Sequence, residues 1–165
     1  MTARVAIFGD LLDFTAEPAW GETLSSAVRW RPAHWLLAEG GRIVAVQADA
    51  PDASWERHHH AGRLVLPGFI DTHVHSPQLD VIASYGTGLL DWLETYTFPS
   101  ERRYADPALA EAGAERFLDA LLAHGTTAAV VFPTVHRVSA EALLAGAHRR
   151  GMRLVAGKVL MDRHA

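Results

Sequence analysis

After Pro67 the sequence alternates between strand patterns and amphipathic helix patterns, and this alternation constrains the fold more than any other feature. An apolar run leads from Gly68 to His75, and two further apolar runs rich in β-branched residues cover residues 126–132 and 154–161. Segments with helical patterns lie between them. Parallel strands need such crossover helices, so alternating strands and helices indicate a parallel sheet. We therefore predict an α/β fold whose sheet is either doubly wound or closed as a barrel.

The helix signals between these strands differ in strength. The strongest begins at Asp106-Pro107, because Asp is a favoured N-cap and Pro is favoured at the first helical position. Gly125 stands where a glycine that ends a helix is expected. Ser139 is the predicted N-cap of the next helix, and residues 88–98 predict a shorter one. The apolar stripe of the strongest helix is predicted to contain Leu109, Phe117, Leu118, Leu121 and Leu122.

Residues 1–66 have a different pattern, with short strands and no helical period of useful length. Strands are predicted at residues 5–8, 35–38 and 43–46, with Gly40-Gly41 as a hairpin turn between the last two. We predict that this part forms a small β-sandwich-type segment, which belongs to a composite β domain.

The composition excludes several kinds of site and partner. The chain has 165 residues, no cysteine and a formal net charge of −4. Disulfides and thiolate metal sites are thereby excluded, and the lack of cysteine is compatible with the cytoplasm. A mildly acidic chain gives no reason to expect nucleic acid or an anionic membrane as a partner. We predict no signal peptide and no membrane span, and we expect a cytoplasmic protein.

Two histidines at the end of the first predicted strand, His73 and His75, form the main candidate site. Side chains two residues apart on a strand point to the same face, so both imidazoles project together with Asp71. Functional groups collect at the carboxyl ends of parallel strands, and two adjacent imidazoles suit a divalent metal ion. We therefore predict that His73 and His75 are metal ligands. Asp71 is expected to support them or the fold rather than bind the metal.

Other histidines are weaker candidates. His58-His59-His60 resembles a metal site by composition, but its charged surroundings predict a solvated loop. His136 follows the second predicted strand, where it either contacts the site or packs at the rim of the sheet.

Two motifs resemble those of the amidohydrolase superfamily, which are metal-dependent hydrolases built on a (β/α)8 barrel. Residues 66–75, which include the histidine pair, resemble the first barrel strand of that superfamily. Residues 124–127, His-Gly-Thr-Thr, are similar to the usual entry to the second barrel strand. The resemblance implies that residues 67–165 form the first βα units of an incomplete (β/α)8 barrel. It also implies that His73 and His75 hold zinc.

Three further segments narrow the resemblance to the guanine deaminases within this superfamily. They are residues 76–78, 90–101 and 157–162. The resemblance implies that zinc-activated water attacks the amino-bearing carbon of guanine and yields xanthine and ammonia. It also implies purine contacts from the loop that runs from the second histidine to the glutamine, namely His75, Ser76, Pro77 and Gln78. An amide such as that of Gln78 both donates and accepts hydrogen bonds, which suits the mixed edge of guanine.

The residues after Pro67 are too few for a complete barrel, which needs roughly 250 residues. The family's other metal ligands, its proton-shuttling glutamate and its substrate-binding arginine have no counterpart here, so the catalytic acid stays unassigned. We expect an amino-terminal portion of a longer enzyme, which in its full-length form could be a homodimer. Two alternatives stay open. One is another amidohydrolase, a deaminase or chlorohydrolase of a different heterocycle; the other is an inactive fragment or subunit that needs a complementing chain.

Overall fold

The computed structural model describes residues 3–17, 21 and 26–163. The chain divides into two compact units, Met1–Pro67 and Gly68–Ala165. Among the described residues, no helix has the length and apolar content that crossing a membrane would require.

The described part of the first unit forms one four-stranded sheet. Its strands are β1 (Arg4–Phe14), β2 (Val28–Glu39), β3 (Arg42–Gln47) and β4 (Glu56–Val65). Their order is β3-β2-β1-β4; β4 runs parallel to β1, and the other two pairings are antiparallel. The predicted sandwich is therefore not confirmed, because the described residues supply only one layer.

The strands of this sheet are longer than their apolar patterns predicted. β1 and β2 stay paired across a register shift between Gly9 and Leu11, a bulge that bends the strands while the ladder continues on both sides. The predicted hairpin turn is confirmed: Gly40 and Gly41 have φ angles of 60° and 75°, which glycine adopts without steric cost.

The prediction of a solvated loop at His58-His59-His60 is wrong. These residues are exposed, but they lie in β4, where His58 pairs with Ile7 and His59 with Phe8 of β1. Because successive side chains of a strand point to opposite faces, neighbouring rings of this triplet point away from each other. The His59 ring packs 5.6 Å from the Phe8 ring, whereas His58 lies 3.1 Å from Glu56. Local composition misleads here because the pairing partner is about fifty residues earlier in the chain.

The second unit contains a parallel sheet of three strands in the order β5-β6-β7, which confirms the predicted α/β alternation. The strands are β5 (Phe69–His75), β6 (Thr126–Phe132) and β7 (Arg153–Ala156). The helical elements are a 3-10 turn (Ser76–Val81), α1 (Leu89–Trp92), a π-helical turn (Leu93–Thr97), α2 (Phe98–Arg102), a 3-10 turn (Arg103–Ala105), α3 (Pro107–Ala123) and α4 (Arg137–Arg150).

The core of the second unit lies where α3 and α4 cover the sheet. Phe117 and Leu118 of the predicted α3 stripe are buried, but Leu109 and Leu122 are about 40% exposed. The buried face of α3 is thus narrower than predicted. The core residues are Ala114, Phe117, Leu118, Ala129, Val131, Leu143 and Ala147.

The start of α3 is the best-predicted boundary. The carboxylate of Asp106 accepts hydrogen bonds from the backbone N–H groups of Ala108 and Leu109 at 2.8 and 3.2 Å, as an N-cap does. At the other end, Gly125 has a φ of 82° directly after the helix, as the glycine signal predicted.

Three other boundaries differ from the predictions. His136, rather than Ser139, is the N-cap residue of α4, and Ser139 is buried in the first turn. β7 ends at Ala156 instead of continuing to residue 161. The helical segment predicted at residues 88–98 continues to the end of α2 as an α–π–α succession. Pro99 follows the π-helical turn and has no N–H for the regular helical ladder, which disfavours an uninterrupted α-helix.

Candidate metal and purine site

The histidine pair lies at the carboxyl end of β5, beyond a β-bulge. Asp71 pairs with Ala129 of β6 and Val74 pairs with Val131, so two residues of β5 oppose one residue of β6 between these positions. A bulge of this kind bends the strand and redirects side chains. The backbone N–H of His73, inside the bulge, donates to Oδ1 of Asp71 at 3.0 Å.

The two imidazoles project together, as predicted, and their Nε2 atoms are 3.3 Å apart. Zn–N bonds of about 2.0–2.1 Å at a tetrahedral angle place two nitrogen ligands roughly 3.3–3.4 Å apart. The observed separation therefore fits two ligands of one tetrahedral ion. Phe132, at the end of β6, supports both rings from one side with centroid distances of 4.9 Å.

The surroundings of His75 favour a neutral ring. Partial burial lowers the pKa of His75 below its usual value, and the neighbouring His73 lowers it further. A neutral imidazole has the free lone pair that a metal ligand needs. Within residues 3–17, 21 and 26–163 no cluster of three or more His, Cys, Asp or Glu side chains is placed to hold a metal ion. The described residues thus bring together two donors and not a complete coordination shell.

The pair borders an open cavity of about 810 Å³. Of the four predicted purine contacts, His75 and Gln78 line this cavity. Ser76 and Pro77 are buried, with Ser76 only 4% exposed, so their side chains support the turn that carries Gln78. Trp92 and Leu93 also line the cavity, and the Trp92 Nε1–H donates to the Ser84 hydroxyl at 2.8 Å.

The turn Ser76–Val81 is anchored to the helical segment behind it. The Ser100 hydroxyl donates to the Pro77 carbonyl at 3.3 Å, and a guanidinium nitrogen of Arg116 lies 2.7 Å from Oδ1 of Asp80. Sequence reasoning missed these anchors because the partners are 23 and 36 residues apart. The motif at residues 90–101 includes Ser100, but it did not predict the hydrogen bond from Ser100 to Pro77.

The Tyr104 hydroxyl adds a longer contact of 3.5 Å to Oδ2 of Asp80. Burial, followed by the neighbouring Asp80 carboxylate, raises the pKa of Tyr104 to about 12. The phenol therefore stays protonated and able to donate throughout the neutral range.

His136 lies close to the end of β6 but does not line this cavity. Its backbone N–H donates to the Thr134 hydroxyl oxygen at 3.2 Å, and its imidazole Nε2 atom is buried without a hydrogen-bond partner among the described residues. Of the two predicted roles, packing at the rim of the sheet agrees with this placement.

Comparison with known proteins connects this geometry to a group of hydrolases. The chain is 40% identical to guanine deaminase of Escherichia coli (strain K12) over 166 residues, which cover 97% of this chain and 38% of that protein. The solved structure of E. coli guanine deaminase matches with a TM-score of 0.85 at 39% identity and covers 96% of this chain and 38% of that one. The chain thus spans little more than a third of this relative's length.

Two other solved structures extend the comparison. Guanine deaminase from C. acetobutylicum, with guanine bound in its active site, matches with a TM-score of 0.71 at 26% identity, over 96% of this chain and 37% of that one. Atrazine chlorohydrolase from Arthrobacter aurescens TC1, complexed with zinc, matches with a TM-score of 0.68 at 22% identity, over 93% of this chain and 35% of that one. The last likeness shows a shared fold alone.

The family model of the amidohydrolases matches residues 64–164. The match includes β5 with its histidine pair and the whole parallel sheet. It covers well over half of the sequence, so the chain belongs to the amidohydrolase family.

Proposed function

We propose that the chain is part of a zinc-dependent guanine deaminase, to which it contributes two metal ligands and part of the purine pocket. The observation that carries this proposal is the 3.3 Å separation of the His73 and His75 Nε2 atoms at the carboxyl end of β5, beside a cavity that Gln78 also lines. The 40% identity to E. coli guanine deaminase across 97% of this chain supports guanine as the substrate.

The reaction is the hydrolysis of guanine to xanthine and ammonia. When bound, a zinc ion would supply a water molecule with a lowered pKa, which such hydrolysis needs. His73 and His75 would hold that ion through their imidazole nitrogens, whose Nε2 atoms lie 3.3 Å apart. Phe132 stacks on the His75 ring at an interplanar angle of 18° and limits the movement of the pair. In this proposal these residues position the metal ion and take no part in proton transfer.

Gln78 orients the purine in this proposal. It is half-buried on a turn that is anchored through Pro77 and Asp80. Its amide can donate to one atom of the guanine edge and accept from another. A purine that cannot match both groups leaves one unpaired, which penalises its binding. Gln78 therefore contributes to substrate choice as well as affinity.

The remaining ligands and the proton-shuttling acid come from outside the described residues in this proposal. The 165-residue chain by itself is then expected to bind zinc weakly and to deaminate nothing. A cytoplasmic location and a homodimeric full-length form remain predictions.

A chimera tests the proposal. Residues 1–165 replace the matching segment of E. coli guanine deaminase, and the zinc-loaded chimera is assayed for xanthine release from guanine. We expect activity, its loss in His73→Ala, and a raised KM in Gln78→Ala. Asp49→Ala, at an exposed position outside the cavity lining, serves as the control variant with unchanged activity. A folded, zinc-loaded chimera that releases no xanthine, or that prefers a different heterocycle, contradicts the proposal.

A further inference from the structure

We infer that Asp71 is a positioning residue of the metal pair, which holds His73 and His75 in their ligating geometry by bonding the backbone of the bulge and not by binding the metal. This inference rests on the proposed function and assigns to that site a residue with a distinct role. Three features of β5 carry it.

The first feature is the bulge itself. Thr72 and His73 lie between the paired positions Asp71 and Val74 and together oppose a single residue of β6. At a bulge the regular ladder is disrupted, so the pairing with β6 does not fix the backbone of Thr72 and His73, although it resumes at Val74 and His75. Within the bulge another interaction has to fix the backbone that carries His73.

The second feature is the hydrogen bond that spans the bulge. Oδ1 of Asp71 accepts from the His73 N–H at 3.0 Å, across two residues. This pattern needs a short side chain with an acceptor at Oδ1, which Asp and Asn possess. Glutamate carries the same charge on a longer side chain and does not favour a hydrogen bond to the backbone N–H two residues later. The identity of residue 71 therefore matters through its length and its acceptor atom.

The third feature is the lack of other support on the open side of the pair. In the described part of the chain, β5 is an edge strand with β6 as its only neighbour. Phe132 contacts both imidazoles from the β6 side, and His73 is exposed. The Asp71 bond is then the principal constraint on the backbone that carries His73. Loss of a partner that hydrogen-bonds a ligating side chain typically costs about 10–100-fold in metal affinity, and for this backbone bond we expect the lower end of that range.

The test is a zinc titration of the 165-residue chain, followed by NMR of the imidazole signals. Residue-specific signals separate zinc at the pair from zinc at other histidines, such as those of β4. The two informative variants are Asp71→Asn, which keeps the acceptor and removes the charge, and Asp71→Glu, which keeps the charge and displaces the acceptor. Asp106→Ala is the matched control, because it removes a carboxylate–backbone bond at the start of α3, outside the cavity lining.

We expect zinc to shift the His73 and His75 signals together in the wild type, with an affinity that Asp71→Asn changes by less than about threefold. Asp71→Glu should weaken binding by about tenfold or more, and Asp106→Ala should leave it unchanged although it lowers stability. Asp71→Glu with wild-type affinity overturns the inference and leaves the proposed metal pair intact. An equally large loss in Asp71→Asn overturns it as well, since the charge would then be what matters. Because the 165-residue chain is expected to bind zinc weakly, the titration extends to millimolar zinc. A wild type whose two signals do not shift even there contradicts the proposed function itself, and this inference with it.

Discussion

Leu118 and Gly146 should respond to mutation as a coupled pair, because the Leu118 side chain occupies the space in which a Cβ of residue 146 would lie. Leu118, on α3, is completely buried, and its Cδ1 atom lies 2.8 Å from the ideal Cβ position at Gly146 of α4. Real Cβ atoms do not approach carbon so closely, so an alanine at position 146 forces α3 and α4 apart or distorts Leu118.

The magnitudes follow from this contact. In Gly146→Ala the higher helix propensity raises the free energy of unfolding by about 1 kcal/mol, and overpacking lowers it by about 2 kcal/mol. The net loss of stability is about 1 kcal/mol. Leu118→Ala alone costs about 3 kcal/mol through lost burial and a cavity. In the double variant the clash with Leu118 vanishes. The Glu115 carboxylate, whose Oε1 lies 3.0 Å from the same Cβ position, is partly exposed and can turn aside. The propensity gain stays, so the total loss is about 2 kcal/mol. The sum of the single effects is about 4 kcal/mol, and the coupling is about 2 kcal/mol.

Urea unfolding of the four proteins, followed by circular dichroism, measures this coupling. Ala145→Gly on the exposed face of α4 is the matched control, and it should cost about 1 kcal/mol in both backgrounds because only helix propensity changes. If Gly146→Ala changes the free energy of unfolding equally in the wild type and in Leu118→Ala, the close-packing argument is refuted.

Two further predictions concern groups that stabilise the second unit. The pKa of Tyr104 is raised from 10.0 to about 12, so the protonated phenol favours the folded state and its contribution is complete below pH 10. That contribution, up to about 3 kcal/mol, should be lost as the pH rises from 10 to 12. The melting temperature of Tyr104→Phe should therefore fall less over this pH range than that of the wild type. Tyr85→Phe, at a 79% exposed position, should show the wild-type fall. Asp106→Ala should cost about 1 kcal/mol in thermal unfolding through the lost N-cap, and Asp106→Asn should recover most of it. Equal losses in the two Asp106 variants would argue for a charge effect instead of a cap.

Several features were predictable from the sequence because they depend on neighbours along the chain. The histidine pair projects together because strand geometry relates His73 to His75 directly. Asp106 caps α3 because its carboxylate accepts from backbone N–H groups only two and three residues further along the chain. The strand β6 was predicted at its observed bounds from its β-branched, apolar composition.

Other features depend on contacts between distant segments, and local patterns did not predict them. His58-His59-His60 lies in a strand because β1 offers a free edge, and Ser139 is buried because α4 begins three residues earlier than its capping signal. The bulge at Thr72 and His73 exists only in the pairing of β5 with β6. Its effect on the direction of the two imidazoles is likewise a property of that pairing.

The sequence by itself therefore determined the parallel α/β alternation, the histidine pair and the capped start of α3, since each follows from periodicity or from bonds between close neighbours. Only the tertiary structure decided the 3.3 Å separation of the two Nε2 atoms, the burial of Ser76 and Pro77 behind the cavity, and the anchoring of Asp80 by Arg116. The physical reason is that these distances depend on strand register and helix packing, which bring together residues that the chain order keeps apart.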